Sequence, residues 1–324
     1  MNRRLFIRNS SLLSAAAVTP GIIKKAFSAN PLSKVRAEHV ILCVAGGGIR
    51  NCDSVYRQSG NLMPGLFHGE ISHLLPEQLK NEFSTLNPVS DFATLIRPFE
   101  YNGYAAGHKL ALQSILNGTY ADESEATEIK WNSLSLFKNI PGKKRFITSD
   151  RAFLKGTSDE SDPDFRHIRV PAENPTENSL LNRYEDLRIG LTASEILEKE
   201  KPRLAVVHFF GADACHSDFS RYAENLGAMS LAIRKIWETA QQNDELKNRT
   251  ALIVLPDFGR NTVPNSLLDA HGNACFDHSI SDRQTRDIFC LIATPGKLLP
   301  GSTLSFWFRE SVDIPSMVKY LIKT

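Results

Sequence analysis

Leu204-Ala205-Val206-Val207-His208-Phe209-Phe210 runs straight into Gly211-Ala212-Asp213-Ala214-Cys215-His216. The first part is apolar with almost no polar alternation, as expected of a strand buried on both faces of a parallel sheet. The second part is a glycine-led turn carrying a carboxylate and an imidazole. Beyond it, Phe219, Tyr222, Leu226, Met229, Ile233, Ile236 and Ala240 recur at intervals of three and four. That spacing makes one apolar helical face across Phe219 to Ala240 and reads as core. Strand, polar turn and amphipathic helix in this order make half of a βαβ unit.

The same signature recurs outward along the chain. Apolar runs at His39–Val44, Thr94–Phe99, Arg145–Thr148, Ala251–Leu255 and Ile288–Ala293 read as further buried strands. Weaker helical patterns lie at Lys109–Leu116 and Leu180–Leu197. Strands alternating with helices predict an α/β fold: a doubly wound, mostly parallel sheet with helices on both faces. The polar, proline-bearing segment Gly156–Asn178 reads as a long surface insertion into a single domain spanning 30–324.

The N-terminus reads differently. Asn2-Arg3-Arg4-Leu5-Phe6-Ile7-Arg8 precedes a mildly apolar stretch from Leu12 to Ile23, then Lys24-Lys25 and the small-residue region Ala26-Phe27-Ser28-Ala29. Charged, apolar and small in that order is the secretory pattern, and the arginine pair points to the twin-arginine export machinery. The first 29 residues are therefore expected to be a signal peptide, and the mature protein periplasmic or secreted. No other apolar run approaches the ~20 residues needed to span a bilayer. The formal net charge of +2 includes basic residues of the signal, so the body is near neutral. It lacks the basic stripe of a nucleic-acid binder. The five cysteines form no Cys-x-x-Cys pair, which argues against a zinc knuckle.

In such sheets ligands bind beyond the carboxyl ends of the strands. Three segments there carry acids or histidines: Asp213 to His216, Pro256-Asp257-Phe258-Gly259-Arg260-Asn261, and His271-Gly272-Asn273-Ala274-Cys275-Phe276-Asp277-His278. Mixed Asp and His donors suit Zn²⁺ or Mn²⁺ better than Ca²⁺. Singly, each such residue is as well explained as a cap or turn former. Together they mark a candidate divalent-metal site. Arg50 and Arg260 could clamp an anionic ester, or form surface ion pairs. Gly46-x-Gly48 lacks the third glycine of a dinucleotide fingerprint. No Gly-x-Ser-x-Gly elbow is present, and Asp257-Phe258-Gly259 lacks the companions of a kinase motif.

These motifs, in their order, resemble the alkaline phosphatase/sulfatase superfamily, and within it twin-arginine-exported proteins of the DUF1501 kind. Asp213-x-x-His216 is similar to that superfamily's Asp–His metal motif with one residue fewer. Asp257-Phe258-Gly259-Arg260-Asn261 resembles the DUF1501 acidic-Phe-Gly-Arg variant of Asp-His-Gly. Gly272 to Asp277-His278 resembles the downstream Gly…Asp-His segment, and Val312-Asp313-Ile314-Pro315-Ser316-Met317 the final Asp-Ile-x-Pro-Thr helix. The resemblance implies a metal-dependent hydrolase of phosphate or sulfate esters acting on a small-molecule or glycan ester. It places Asp213, His216, Asp257 and His278 at the metal.

It also shows departures. Ala45-Gly46-Gly47-Gly48 stands where the superfamily has an Asp, and Asp53 could replace it only through an unusual loop. Matching Gly107-His108-Lys109 through Asn117-Gly118 onto the nucleophile's helix puts His108 at the catalytic position, as metal ligand, as nucleophile, or as a helix-entry residue without a role. Phe258 replaces a metal-binding His. These departures motivate the alternative, a non-catalytic binding protein that retains the hydrolase fold with a degenerate metal site.

Overall fold

The computed structural model describes residues 36–58, 60–122, 129–149, 156–157, 162–171, 183–295 and 307–322. The expected signal peptide lies outside the described residues.

The strands are β1 His39–Ala45, β2 Ala93–Glu100, β3 Ile129–Lys130, β4 Lys144–Ser149, β5 Gly156–Thr157, β6 Phe165–Val170, β7 Leu204–Phe209, β8 Thr250–Pro256 and β9 Asp287–Ala293. The helices are α1 Glu77–Phe83, α2 His108–Asn117, α3 Ser135–Lys138, α4 Arg183–Glu200, α5 Phe219–Gln242, α6 Arg283–Arg286 and α7 Ile314–Leu321. Seven strands form one sheet in the order β2-β9-β8-β1-β7-β4-β6, and β3 pairs with β5 apart from it. β8, β1, β7, β4 and β6 are mutually parallel, and β9 runs against β8 and β2.

Side-chain alternation along the strands feeds two cores. Ile41, Cys43, Ala45, Val207 and Val254 point to a layer containing α1, α4 and α5. Val40, Leu42, Val44, Val206 and Ile253 point to the opposite layer, with α2, α3 and α7. Both faces are thus covered, and the fold is the doubly wound α/β architecture the strand pattern implies. α5 is started by Asp218, whose carboxylate accepts from the Arg221 amide at 2.8 Å. Gly190 of α4 lets α5 approach closely, since a Cβ there would sit 2.6 Å from the Cβ of Ala232.

Two expectations are corrected, and one strand of the mostly parallel sheet runs the other way. The run at Thr94–Phe99 forms an edge strand rather than a covered one. Pro98 cannot donate to a ladder, and the register with β9 slips between Ile96 and Phe99. Ile288–Ala293 is antiparallel to β8, because only the four-residue α6 intervenes and no crossover helix can bring the chain back in parallel. Within the expected surface insertion, Phe165–Val170 is the strand β6, paired in parallel with β4. Its Arg166 and Arg169 are exposed at the sheet edge, which hides the apolar signal.

Candidate functional site

β1, β7 and β8 deliver their carboxyl ends to one point, and β9 begins at the same edge. The loop after β7 is a tight 3₁₀ turn, Gly211–His216, which brings Asp213 and His216 to one side. α2 presents its first residue, His108, from the opposite layer. His278 arrives from the long loop between β8 and β9.

One ligating atom from each of His108, Asp213, His216 and His278 lies within 4.8 Å of the others. His108 Nδ1 contacts the carboxylate of Asp257 at 2.6 Å, and its Nε2 faces Asp213 Oδ1 at 2.9 Å. His216 Nδ1 contacts Asp277 Oδ1 at 2.6 Å. Its Nε2 lies 2.9 Å from His278 Nε2 and 3.3 Å from Asp213 Oδ1. Each Nδ1 beside a carboxylate must donate to it, which leaves the Nε2 lone pairs of His108 and His216 turned toward the cluster. Acceptors then face acceptors, and a cation has to sit between them: a proton or a metal. His278 Nδ1 is buried without a partner.

The titration of the cluster follows from its charges. Burial disfavours the charged form of His108, but Asp257 and Asp213 outweigh it and push the imidazole up to about 9. His278 is pushed down to about 3 by burial and by the charges of His108, Arg260 and His216. Burial opposes the charge of Asp213, yet His108, His216 and Arg260 hold it well below the usual carboxylate range. The donor set fits a zinc-like ion. Three imidazoles and a carboxylate match borderline-soft N/O coordination, and the carboxylates behind His108 and His216 supply the outer bonds that orient metal-bound histidines.

Asp257 stands outside this group of ligands. Fully buried, it accepts from the Gly47 amide at 3.2 Å, the Gly48 amide at 3.0 Å and the Phe258 amide at 2.9 Å, besides His108. The glycine turn after β1, where the resembled superfamily has an acid, thus serves as a cradle for the acid of β8. Gly47 has φ 103°, and a Cβ there would meet the Asp213 amide nitrogen at 2.3 Å. Phe258 stacks on the His108 ring, with centroids 4.7 Å apart, and lies 4.6 Å from the His278 ring. It positions two imidazoles from the place of a ligand.

The two arginines expected to clamp a substrate sit inside the protein instead. Arg260 is fully buried and donates to the carbonyls of Gly48 at 3.0 Å, Phe276 at 2.7 Å, Ala212 at 3.0 Å and Gly47. It ties the glycine turn after β1 to the two loops that carry Asp213, His216 and His278. Arg50 forms a bidentate pair with buried Asp53 at 2.7 and 2.8 Å, and Tyr222 donates to the same carboxylate. Asp53 therefore does not stand in for the missing acid. Asp277, legible in the sequence only as part of the Gly…Asp-His segment, is a site residue whose role behind His216 no motif gave. The C-terminal motif forms α7, with Pro315 in the first turn.

No protein-family model and no curated protein matches the chain. Solved structures do. A protein in the alkaline phosphatase superfamily from Vibrio parahaemolyticus aligns with a TM-score of 0.52 at 12% identity, over 89% of this chain and 67% of that one. The chain has the alkaline phosphatase/sulfatase-like fold. A putative sulfatase from Bacteroides thetaiotaomicron aligns with a TM-score of 0.56 at 10% identity, covering 89% and 72%. The C-terminal periplasmic domain of EcEptC from Escherichia coli, solved in complex with Zn, aligns with a TM-score of 0.50 at 13% identity, covering 88% and 82%. Doubly wound sheets place their chemistry beyond the strand carboxyl ends, the edge at which this cluster lies. Among the described residues, no helix is long and apolar enough to cross a membrane.

Proposed function

We propose that this protein is an exported, metal-dependent hydrolase of phosphate or sulfate esters, with a single metal held by His108, Asp213, His216 and His278. The observation that carries this reading is the convergence of imidazole lone pairs and one carboxylate oxygen within 4.8 Å at the sheet's carboxyl edge. A zinc ion bound there would polarise the ester oxygen and stabilise the charge developing on it.

The chain's own residues do the rest. Asp257 fixes the His108 tautomer through Nδ1, and Asp277 does the same for His216. Phe258 excludes water from one face of His108. Arg260 holds the three loops at fixed separation and adds positive charge behind Asp213 at 3.5 Å. His108 has both ring nitrogens committed, which favours the ligand role over the nucleophile role. The protein would meet its ester, small-molecule or glycan, after its own twin-arginine export to the periplasm or beyond.

The residue opening α2 carries no hydroxyl, and this favours a second reading, a binding protein with a degenerate centre. Metal analysis of the purified protein and of Asp213→Ala with His278→Ala, alongside turnover of aryl phosphates and aryl sulfates with added Zn²⁺ or Mn²⁺, separates the two. The hydrolase reading expects bound metal, its loss in the double variant, and turnover that disappears with it. Metal without turnover on either ester class favours the binding reading, and a metal-free wild type rejects the metal-dependent hydrolase.

A further inference from the structure

The two carboxylate–histidine pairs of the cluster are held in unlike ways. His108 and Asp257 lie inside the protein, their side chains 12% and 0% exposed, and the amides of Gly47, Gly48 and Phe258 fix the carboxylate. His216 and Asp277 stand at the outer edge, 36% and 51% exposed. Among the described residues no backbone amide donates to the Asp277 carboxylate. A carboxylate that faces water on most sides can rotate, and so can the ring it holds.

One side chain makes up for the missing amides. Asn265, in the loop between β8 and β9, has its Nδ2 at 3.1 Å from Asp277 Oδ1 and 3.0 Å from the carbonyl oxygen of His216. An amide nitrogen carries two hydrogens, so it donates one to each. The same Asp277 oxygen accepts from His216 Nδ1 at 2.6 Å. Asn265 therefore clamps His216 at two points: at its backbone, and through the carboxylate that fixes its ring. The remaining polar groups of Asn265 fix its own place. Its Oδ1 accepts from the Leu267 amide at 2.9 Å, and its backbone amide donates to the Cys275 carbonyl at 2.9 Å. A flipped amide would set its oxygen against both the carboxylate and the His216 carbonyl, so the nitrogen must face them. The loop is also anchored farther along. Buried Asp269 accepts from the amide and hydroxyl of Ser220, at the start of α5, both at 2.8 Å.

We infer that Asn265 is a positioning residue of the metal centre, acting on His216 mainly through Asp277. It contributes no ligand atom. In the exposed half of the cluster it does what burial and backbone amides do for Asp257 in the inner half. This role rests on the metal reading above.

The test is competition for Zn²⁺ between a chromophoric chelator and the full-length protein: wild type, Asn265→Ala, Asp277→Ala and the double variant. Asn265→Ala should bind zinc about tenfold more weakly, at the low end of the effect of an outer partner. With Asp277 already replaced by Ala, the same change should cost less than threefold. Asn265→Asp keeps the acceptor for Leu267, and with it the turn, but offers no donor and places a second carboxylate beside Asp277; it should also lose at least tenfold. The visible d–d band of the Co²⁺-loaded Asn265→Ala protein should shift from wild type in the same direction as that of Asp277→Ala. Equal losses with and without Asp277, zinc affinity of Asn265→Asp within twofold of wild type, or an unshifted Co²⁺ band each overturns the role of Asn265. A wild type that takes up neither ion overturns the metal reading itself, and Asn265 with it.

Discussion

Replacing Asp257 by Asn should disable the cluster without touching any of its four ligands. The wild-type carboxylate accepts four donors: Gly48 and Phe258 amides on Oδ1, Gly47 amide and His108 Nδ1 on Oδ2. An amide has only one accepting oxygen. If that oxygen faces Gly48 and Phe258, the NH₂ group meets the Gly47 N–H and His108. His108 must then accept on Nδ1 and carry its proton on Nε2, which removes the lone pair aimed at the metal. If the amide is flipped, two buried backbone amides lose their acceptor at ~1–3 kcal/mol each. The cheaper outcome still removes an oriented ligand. Disrupting such an outer partner lowers metal affinity by about 10–100-fold, or about 1.4–2.8 kcal/mol. A folding loss of ~2–3 kcal/mol should accompany it and lower Tm by roughly 3–5 °C. Competition between the protein and a chromophoric chelator for Zn²⁺ measures the affinity, and a thermal melt of the metal-free forms measures the stability. Zinc affinity within twofold of wild type in a folded Asp257→Asn protein would refute the role assigned to Asp257.

Other outcomes follow from the same geometry. Arg260→Lys keeps the charge but cannot reach four carbonyls at once, so denaturant unfolding should show a loss of about 2–4 kcal/mol; a variant as stable as wild type would reject its role as the tie between loops. Gly47→Ala places a methyl 2.3 Å from the Asp213 amide at a backbone φ of 103°, and should cost ~1–3 kcal/mol and weaken zinc binding, read by melt and chelator competition. Buried His208, its Nε2 unpartnered, is pushed down to about 4 by burial. The unfolded chain binds this proton more readily, so the stability His208 leaves intact above pH 6.5 is lost as the pH falls toward 4. Between pH 7.5 and pH 5 the wild type should lose about 2 kcal/mol more than His208→Leu in urea unfolding, and parallel losses would contradict the neutral, buried state of the ring.

The centre of the sheet was legible in the sequence because β1, β7 and β8 are buried on both faces and so run apolar without alternation. α5 was legible because sixteen of its residues are buried, on a face broad enough to set the period. The edges were not. β6 mixes Arg166, His167 and Arg169 with its apolar residues and so shows no covered-strand pattern, while β2 reads as a covered run whose place at the edge only its inner Pro98 signals. At the site, residue types at strand ends picked out Asp213, His216 and His278 as neighbours. The division of labour among carboxylates was hidden, since it depends on backbone amides. Asp257 turns inward because Gly47 and Gly48 aim their N–H groups at it, and Asp277 meets His216 across 61 residues of chain. Buried arginines mislead for a related reason. Sequence shows a guanidinium but not the carbonyls gathered around it, and Arg260 finds four.

The claim on which the rest depends is that His108, Asp213, His216 and His278 close around one ion. X-ray absorption at the zinc edge, on protein loaded with one equivalent of Zn²⁺, tests it directly. The expected spectrum has a first shell of N/O donors near ~2.0–2.1 Å with the outer scattering of three imidazoles. An oxygen-only shell without imidazole scattering, or protein that takes up no zinc, would contradict it.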